Sequence, residues 1–121
     1  MSKCKFNGTK INILGVEYTI YTRSVEQDPL LNNADAYCDR TSKEIVLLKL
    51  KRKNTTLHNP DWLYRKLLRH EIIHAFLFES GLGECTEWRI NQGGHNEQIV
   101  DWFAVQYPKI HKLFVELGIE V

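Results

Sequence analysis

Apolar and polar residues alternate along "KINILGVEYTIYTRS". Ile11 and Ile13 share one side of a first extended run, and Val16, Tyr18 and Ile20 share one side of a second, with Gly15 between them. That spacing of two predicts a β-hairpin. Further on, Ala36–Cys38 and the strand-like run 44–50 flank a turn-forming stretch from Asp39 to Lys43. The spacing then changes. Asn59, Pro60 and Asp61 have the chemistry of a helix start: a side-chain cap, a ring suited to the first helical position and a negative charge at the positive end of the dipole. A helix is expected from about Pro60 to Ser80, with Leu63, Leu67, Leu77 and Phe78 on its apolar face and Gly81 as its stop. A loop leads to a second helix over about 96–106, and Pro108 is expected to open a third that continues to Leu117. Strands first and helices after predict an α+β fold, read as one domain over 1–121: amino-terminal antiparallel strands packed on a long helix, with two carboxy-terminal helices.

Composition narrows the function classes. The chain has 121 residues and is 43% hydrophobic, enough for one core. Sixteen basic against fifteen acidic residues leave a net charge of +1, so nothing in the balance calls for nucleic acid or an anionic membrane. Lys49, Lys51, Arg52 and Lys53 form a basic cluster that reads as a solvated strand end. The first residues contain no apolar segment of signal-peptide length, and no later run approaches the roughly 20 residues that span a bilayer, so a cytoplasmic protein is expected. Cys4, Cys38 and Cys85 are odd in number and scattered, which suits free thiols in a reducing compartment. Trp62, Trp88 and Trp102 read as packing residues.

The candidate chemistry lies in "LLRHEIIHAFLFESG", which carries His70, Glu71 and His74 as H-E-x-x-H. On a helix, residues four apart project from one face, so His70 and His74 can offer two imidazole nitrogens to a single ion, while Glu71 stands one step around. Both imidazoles are expected to point into the apolar interior, where a metal or a hydrogen-bond partner must satisfy them. A catalytic zinc takes three protein ligands and keeps one position open. Downstream, "QGGHNEQIVDWFAVQYP" places Glu97 and Asp101 four apart. Glu97 would complete the shell, and Asp101 would accept the outer N–H of a ligating histidine. His95, two residues earlier, is an alternative third ligand, and the Cys85 thiolate is a candidate cap for the open position.

Gly93, Gly94, Asn96, Glu97 and Asp101 follow the H-E-x-x-H helix at the spacing G-G-x-N-E-x-x-x-D, which resembles the gluzincin metallopeptidases. The run 97–104 is also similar to the short ImmA/IrrE-type peptidase domains and the minigluzincins, and to small H-E-x-x-H proteins of phages and prophages. The resemblance covers about residues 60–108. It implies a small zincin-like domain in a bacterial host cell, one Zn2+ held by His70, His74 and Glu97, support from Asp101 and Asn96, and peptide-bond hydrolysis by a zinc-bound water that Glu71 deprotonates. The peptide or protein substrate would pair with strand 44–50 as an edge. The oxyanion donor is left open among His95, Tyr107, His111, Arg89 and Tyr37. A second reading keeps the fold without turnover: a zinc-stabilised protein-interaction module of phage or prophage origin.

Overall fold

The computed structural model describes residues 5–50, 59–84 and 97–121, with the side chains of Glu97, Gln98, Val100, Asp101 and Ala104 outside that description. It is an α+β arrangement in which a four-stranded sheet carries the long helix on one face. The strands are β1 (Lys10–Ile13), β2 (Val16–Arg23), β3 (Ala36–Asp39) and β4 (Glu44–Leu48). The helices are α1 (Pro60–Glu79) and α2 (Glu97–Leu117).

β1 and β2 form the expected hairpin, with Ile13 opposite Val16 across a two-residue loop. Both loop residues have positive φ, Leu14 at 52° and Gly15 at 94°, the geometry that matches the twist of the flanking strands. Glycine takes it freely, whereas leucine is a bulky residue held in the left-handed region. The Asn12 side chain accepts from the Gly15 N–H at 2.7 Å and ties the turn.

The expectation of a purely antiparallel sheet is corrected. The order is β1-β2-β4-β3, with β2 and β4 parallel, and β3 antiparallel to β4. Strand 44–50 is therefore not an edge, and it ends at Leu48. The physical reason is burial on both faces. Ile45, Val46 and Leu47 are consecutive and each 0% exposed, which requires neighbours on both sides and cover above and below. β3, half-buried throughout, takes the outside position.

Ile45 and Leu47 join Tyr18, Ile20, Ile11 and Ile13 in the core beneath α1, which contributes Tyr64, Leu68, Ile72, Ala75 and Phe76. Of the expected face Leu63, Leu67, Leu77 and Phe78, only Leu77 is buried and the other three are half-buried, so the core-facing stripe of α1 lies about one position around from it. Three polar contacts, one near the start of the helix and two at its end, fix that rotation. Near the start of α1 the Tyr64 hydroxyl accepts from the Leu50 N–H at 2.8 Å. At its end Glu79 accepts from the Tyr18 hydroxyl at 2.6 Å and pairs with Lys43 at 2.7 Å. Asn59 caps the helix by accepting from the Trp62 N–H, and Gly81 leaves it at φ 90°.

In place of a second and a third helix, one helix runs through Pro108. A proline inside a helix removes one backbone bond at about 3 kcal/mol. Here the packing stripe of Trp102, Ile110, Leu113, Phe114 and Leu117 continues across it, so ending the helix would expose that surface. α2 runs back along α1. The Trp102 indole donates to Ser80 Oγ at 2.9 Å, while Arg69 and Arg65 donate to the backbone oxygens of Ile119 and Val121 at 2.9 and 2.8 Å.

The opposite face of the sheet carries a polar knot. Asp28 caps the 3-10 turn Pro29–Asn32, accepts from the Tyr37 hydroxyl and pairs with Arg23 at 3.2 Å. Arg23 also meets Glu44 at 3.6 Å. The Tyr37 hydrogen bond holds the Asp28 carboxyl below the usual carboxylate range. Burial opposes this, and Arg23 and the Leu30 N–H add to it.

Two outcomes are expected. Leu14→Asn should raise stability by about 0.5–1 kcal/mol in urea unfolding, since asparagine enters the left-handed region more easily; an unchanged or lower midpoint would contradict the turn assignment. Asp28 has a depressed folded pKa, so its contribution is present above about pH 4 and lost as pH falls through the folded value. Asp28→Asn should therefore melt lower at neutral pH and lose less stability than wild type between pH 5 and pH 3. Parallel melting curves would sink that assignment.

Candidate metal centre

Because α1 is rotated to bury Leu68, Ile72 and Ala75, the residues of the H-E-x-x-H motif fall at its flank. The expectation that both imidazoles point into the interior is reversed: His70 and His74 are exposed, and it is Glu71 that is buried, at 6% exposure. One residue advances a helix by about 100°, so once the neighbouring stripe packs on the sheet, the glutamate turns in and the histidines turn out.

The two histidines still converge. His70 Nε2 and His74 Nε2 are 3.2 Å apart, and the rings meet edge-on with centroids 4.8 Å apart. Two nitrogens on one tetrahedral zinc, each at about 2.0–2.1 Å, stand roughly 3.3 Å apart. The pair therefore has the separation of two donors to one ion. In the metal-free protein the same distance is a hydrogen bond between one protonated and one bare nitrogen. Burial, and then the neighbouring His70, lower the His74 pKa, which favours the neutral imidazole that metals bind.

Glu71 lies inward of the pair. Desolvation alone pushes its pKa up to about 7. Cys38, on β3, faces the same space: burial pushes its thiol up to about 12, with Glu71 and Asp39 adding to the shift. A thiol so placed stays protonated and inert at neutral pH.

Beyond His74 a plate of side chains closes the flank. The Phe78 ring stacks toward His74 with centroids 6.4 Å apart and an interplanar angle of 22°. The Arg40 guanidinium lies 5.0 Å from the Phe78 centroid and pairs with Glu84 at 2.5 Å. Phe78 is legible in the sequence as the next residue on the stripe of His70 and His74. Arg40 is not, because its approach depends on how the β3–β4 turn docks against α1.

The remaining candidates separate. Glu97 opens α2, but its side chain and that of Asp101 lie outside the described residues, as do Asn96, His95, Arg89, Trp88, Cys85, Cys4 and residues 51–53. Among the described residues no three His, Cys, Asp or Glu side chains form a metal-binding group. Tyr107 and His111 stack on each other at 5.5 Å and continue an exposed row from Phe103. On one continuous helix they stand ten and fourteen residues beyond Glu97, about 15 and 21 Å along the axis. Tyr37 gives its hydroxyl to Asp28 on the sheet face away from α1, so it is withdrawn as an oxyanion donor. No helix among the described residues is long and apolar enough to cross a membrane. Compared with protein-family models, curated proteins and solved structures, the chain matches none.

The purified protein is expected to take up one equivalent of zinc, and His74→Ala should weaken that affinity by more than about 100-fold in a chelator competition. Uptake below a tenth of an equivalent, indifferent to His74→Ala, would refute the pair as metal ligands.

Proposed function

We propose that this chain is a small zinc metallopeptidase of gluzincin type, with His70, His74 and Glu97 holding one Zn2+ and Glu71 acting as general base. The observation that carries the reading is the convergence of His70 Nε2 and His74 Nε2 to 3.2 Å beside a buried glutamate. Bound there, a zinc ion would polarise a peptide carbonyl and bring the pKa of a water to about 7.

The chain's own residues supply the rest. Glu71 takes the proton of the attacking water on its carboxylate and returns it to the leaving amine nitrogen. A pKa raised to about 7 suits a group that must first accept and then donate near neutrality. Asp101 would accept the outer N–H of a ligating histidine and hold its tautomer, with Asn96 beside it. With β4 enclosed, β3 is the edge beside α1 that an extended peptide can pair with, its backbone passing Cys38 and Glu71. His95 and Arg89, two and eight residues before Glu97 in the chain, are the oxyanion candidates that remain.

The exposure of both histidines favours one further reading, a zinc-stabilised interaction module without turnover, because an open site excludes little water. A denatured-protein substrate separates the two. Wild type is expected to cleave it, and Glu71→Gln, which keeps size and loses the base, should be slower by about 10²–10⁴-fold while binding zinc equally. Equal cleavage by both would overturn the role of Glu71. One equivalent of zinc with no cleavage by wild type would select the interaction module.

A further inference from the structure

Phe78 is held on three sides. Arg40 covers it with a guanidinium 5.0 Å from the ring centroid, the His74 ring lies against it, and the backbone of Gly83 comes so close that an added Cβ would stand 2.9 Å from Phe78 Cδ1. Arg40 is itself fixed by Glu84 at 2.5 Å. The order of contact is thus Glu84, Arg40, Phe78, His74, and it joins three elements: a 3-10 turn, Leu82–Glu84, that follows α1, the β3–β4 turn and α1 itself.

An exposed histidine on a helix flank is free to rotate about its χ2 angle, a broad torsion with two wells. His74 Nε2 nevertheless points at His70 Nε2. No hydrogen bond from the other nitrogen of His74 is among those described. What lies against its ring is Phe78. From this contact geometry we infer that Phe78, clamped by Arg40 and by the backbone of Gly83, is a positioning residue that sets the His74 ring plane and so pre-forms the donor pair. The inference rests on the metal reading given above and adds to it residues outside the H-E-x-x-H motif.

The clamp can be loosened at independent points. Arg40→Ala removes the cover, Phe78→Leu removes the plate, and Gly83→Ala, at a position with ordinary backbone φ, pushes the ring aside. Phe78→Tyr keeps the plate. Two readouts are needed. In the metal-free protein, the His74 ring-proton shifts are expected to move in Arg40→Ala, Phe78→Leu and Gly83→Ala, and to stay near wild type in Phe78→Tyr. In a zinc titration against a chromophoric chelator, the first three should bind about three- to tenfold more weakly, the range expected for loss of one aromatic contact, with Phe78→Tyr close to wild type. Thermal melts of the metal-free variants show whether each has folded. Folded Arg40→Ala and Phe78→Leu proteins with wild-type ring shifts would overturn the inference, as would wild-type zinc affinity in both. Shifted ring protons with no zinc uptake by wild type would instead refute the metal reading and leave Phe78 as a plate for a histidine without a metal role, which also ends the proposal.

Discussion

The rotation of α1 about its own axis is the constraint on which the rest depends. Tyr64 near one end and Glu79 at the other attach the helix to β2, to the β3–β4 turn and to the chain just after β4. Between them Leu68, Ile72 and Ala75, each 0% exposed, press on the sheet. Every other residue of the helix is assigned its surroundings by that choice. A turn of one position would carry His70 and His74 to the buried places that Glu71 and Ala75 now hold. As it stands, the carboxyl is desolvated, the imidazoles look outward, and their nitrogens meet on the exposed flank of the helix.

That arrangement divides the work between two environments. Inside, desolvation raises the affinity of Glu71 for its proton, and Glu71 in turn adds to the upward shift of the Cys38 thiol. Outside, His74 is kept neutral by partial burial and by its partner His70. Burial thus acts on the two residues in opposite senses, favouring the protonated form of the Glu71 carboxyl and the neutral form of the His74 imidazole. The surrounding turns, through Arg40 and Glu84, keep the outer half in place.

Much of this was legible in the residues. The hairpin around Gly15, the 39–43 turn, the Asn59 cap and the Gly81 stop are local signals whose chemistry acts within a few residues, and each appears where its pattern predicts. Properties set by tertiary competition were not. The place of β4 inside the sheet follows from "IVL" being apolar on both faces, a signal present in the sequence but set aside when the strand is read as an edge for a peptide. The continuation through Pro108 reflects a packing stripe stronger than one lost hydrogen bond. The exchange of inside and outside between Glu71 and the histidines is a shift of a single helical position, which apolar residues distributed around Leu63–Phe78 do not resolve. The likeness of the 93–101 stretch to a known motif falls on residues whose side chains lie outside the description, so the third ligand rests on spacing alone.

β3 has four residues, and on an edge strand only alternate residues turn their N–H and C=O groups outward, so it presents about two rungs to a passing chain. So short a border, ending in Asp39 and followed at once by Arg40, is a poor template for another copy of the same sheet, and it lowers the tendency of the protein to stack into fibres. The same brevity sets what it can hold. Were a peptide to dock there, two rungs would suit a loose, extended segment better than a folded strand, and would select for the slackness of the chain more than for its letters.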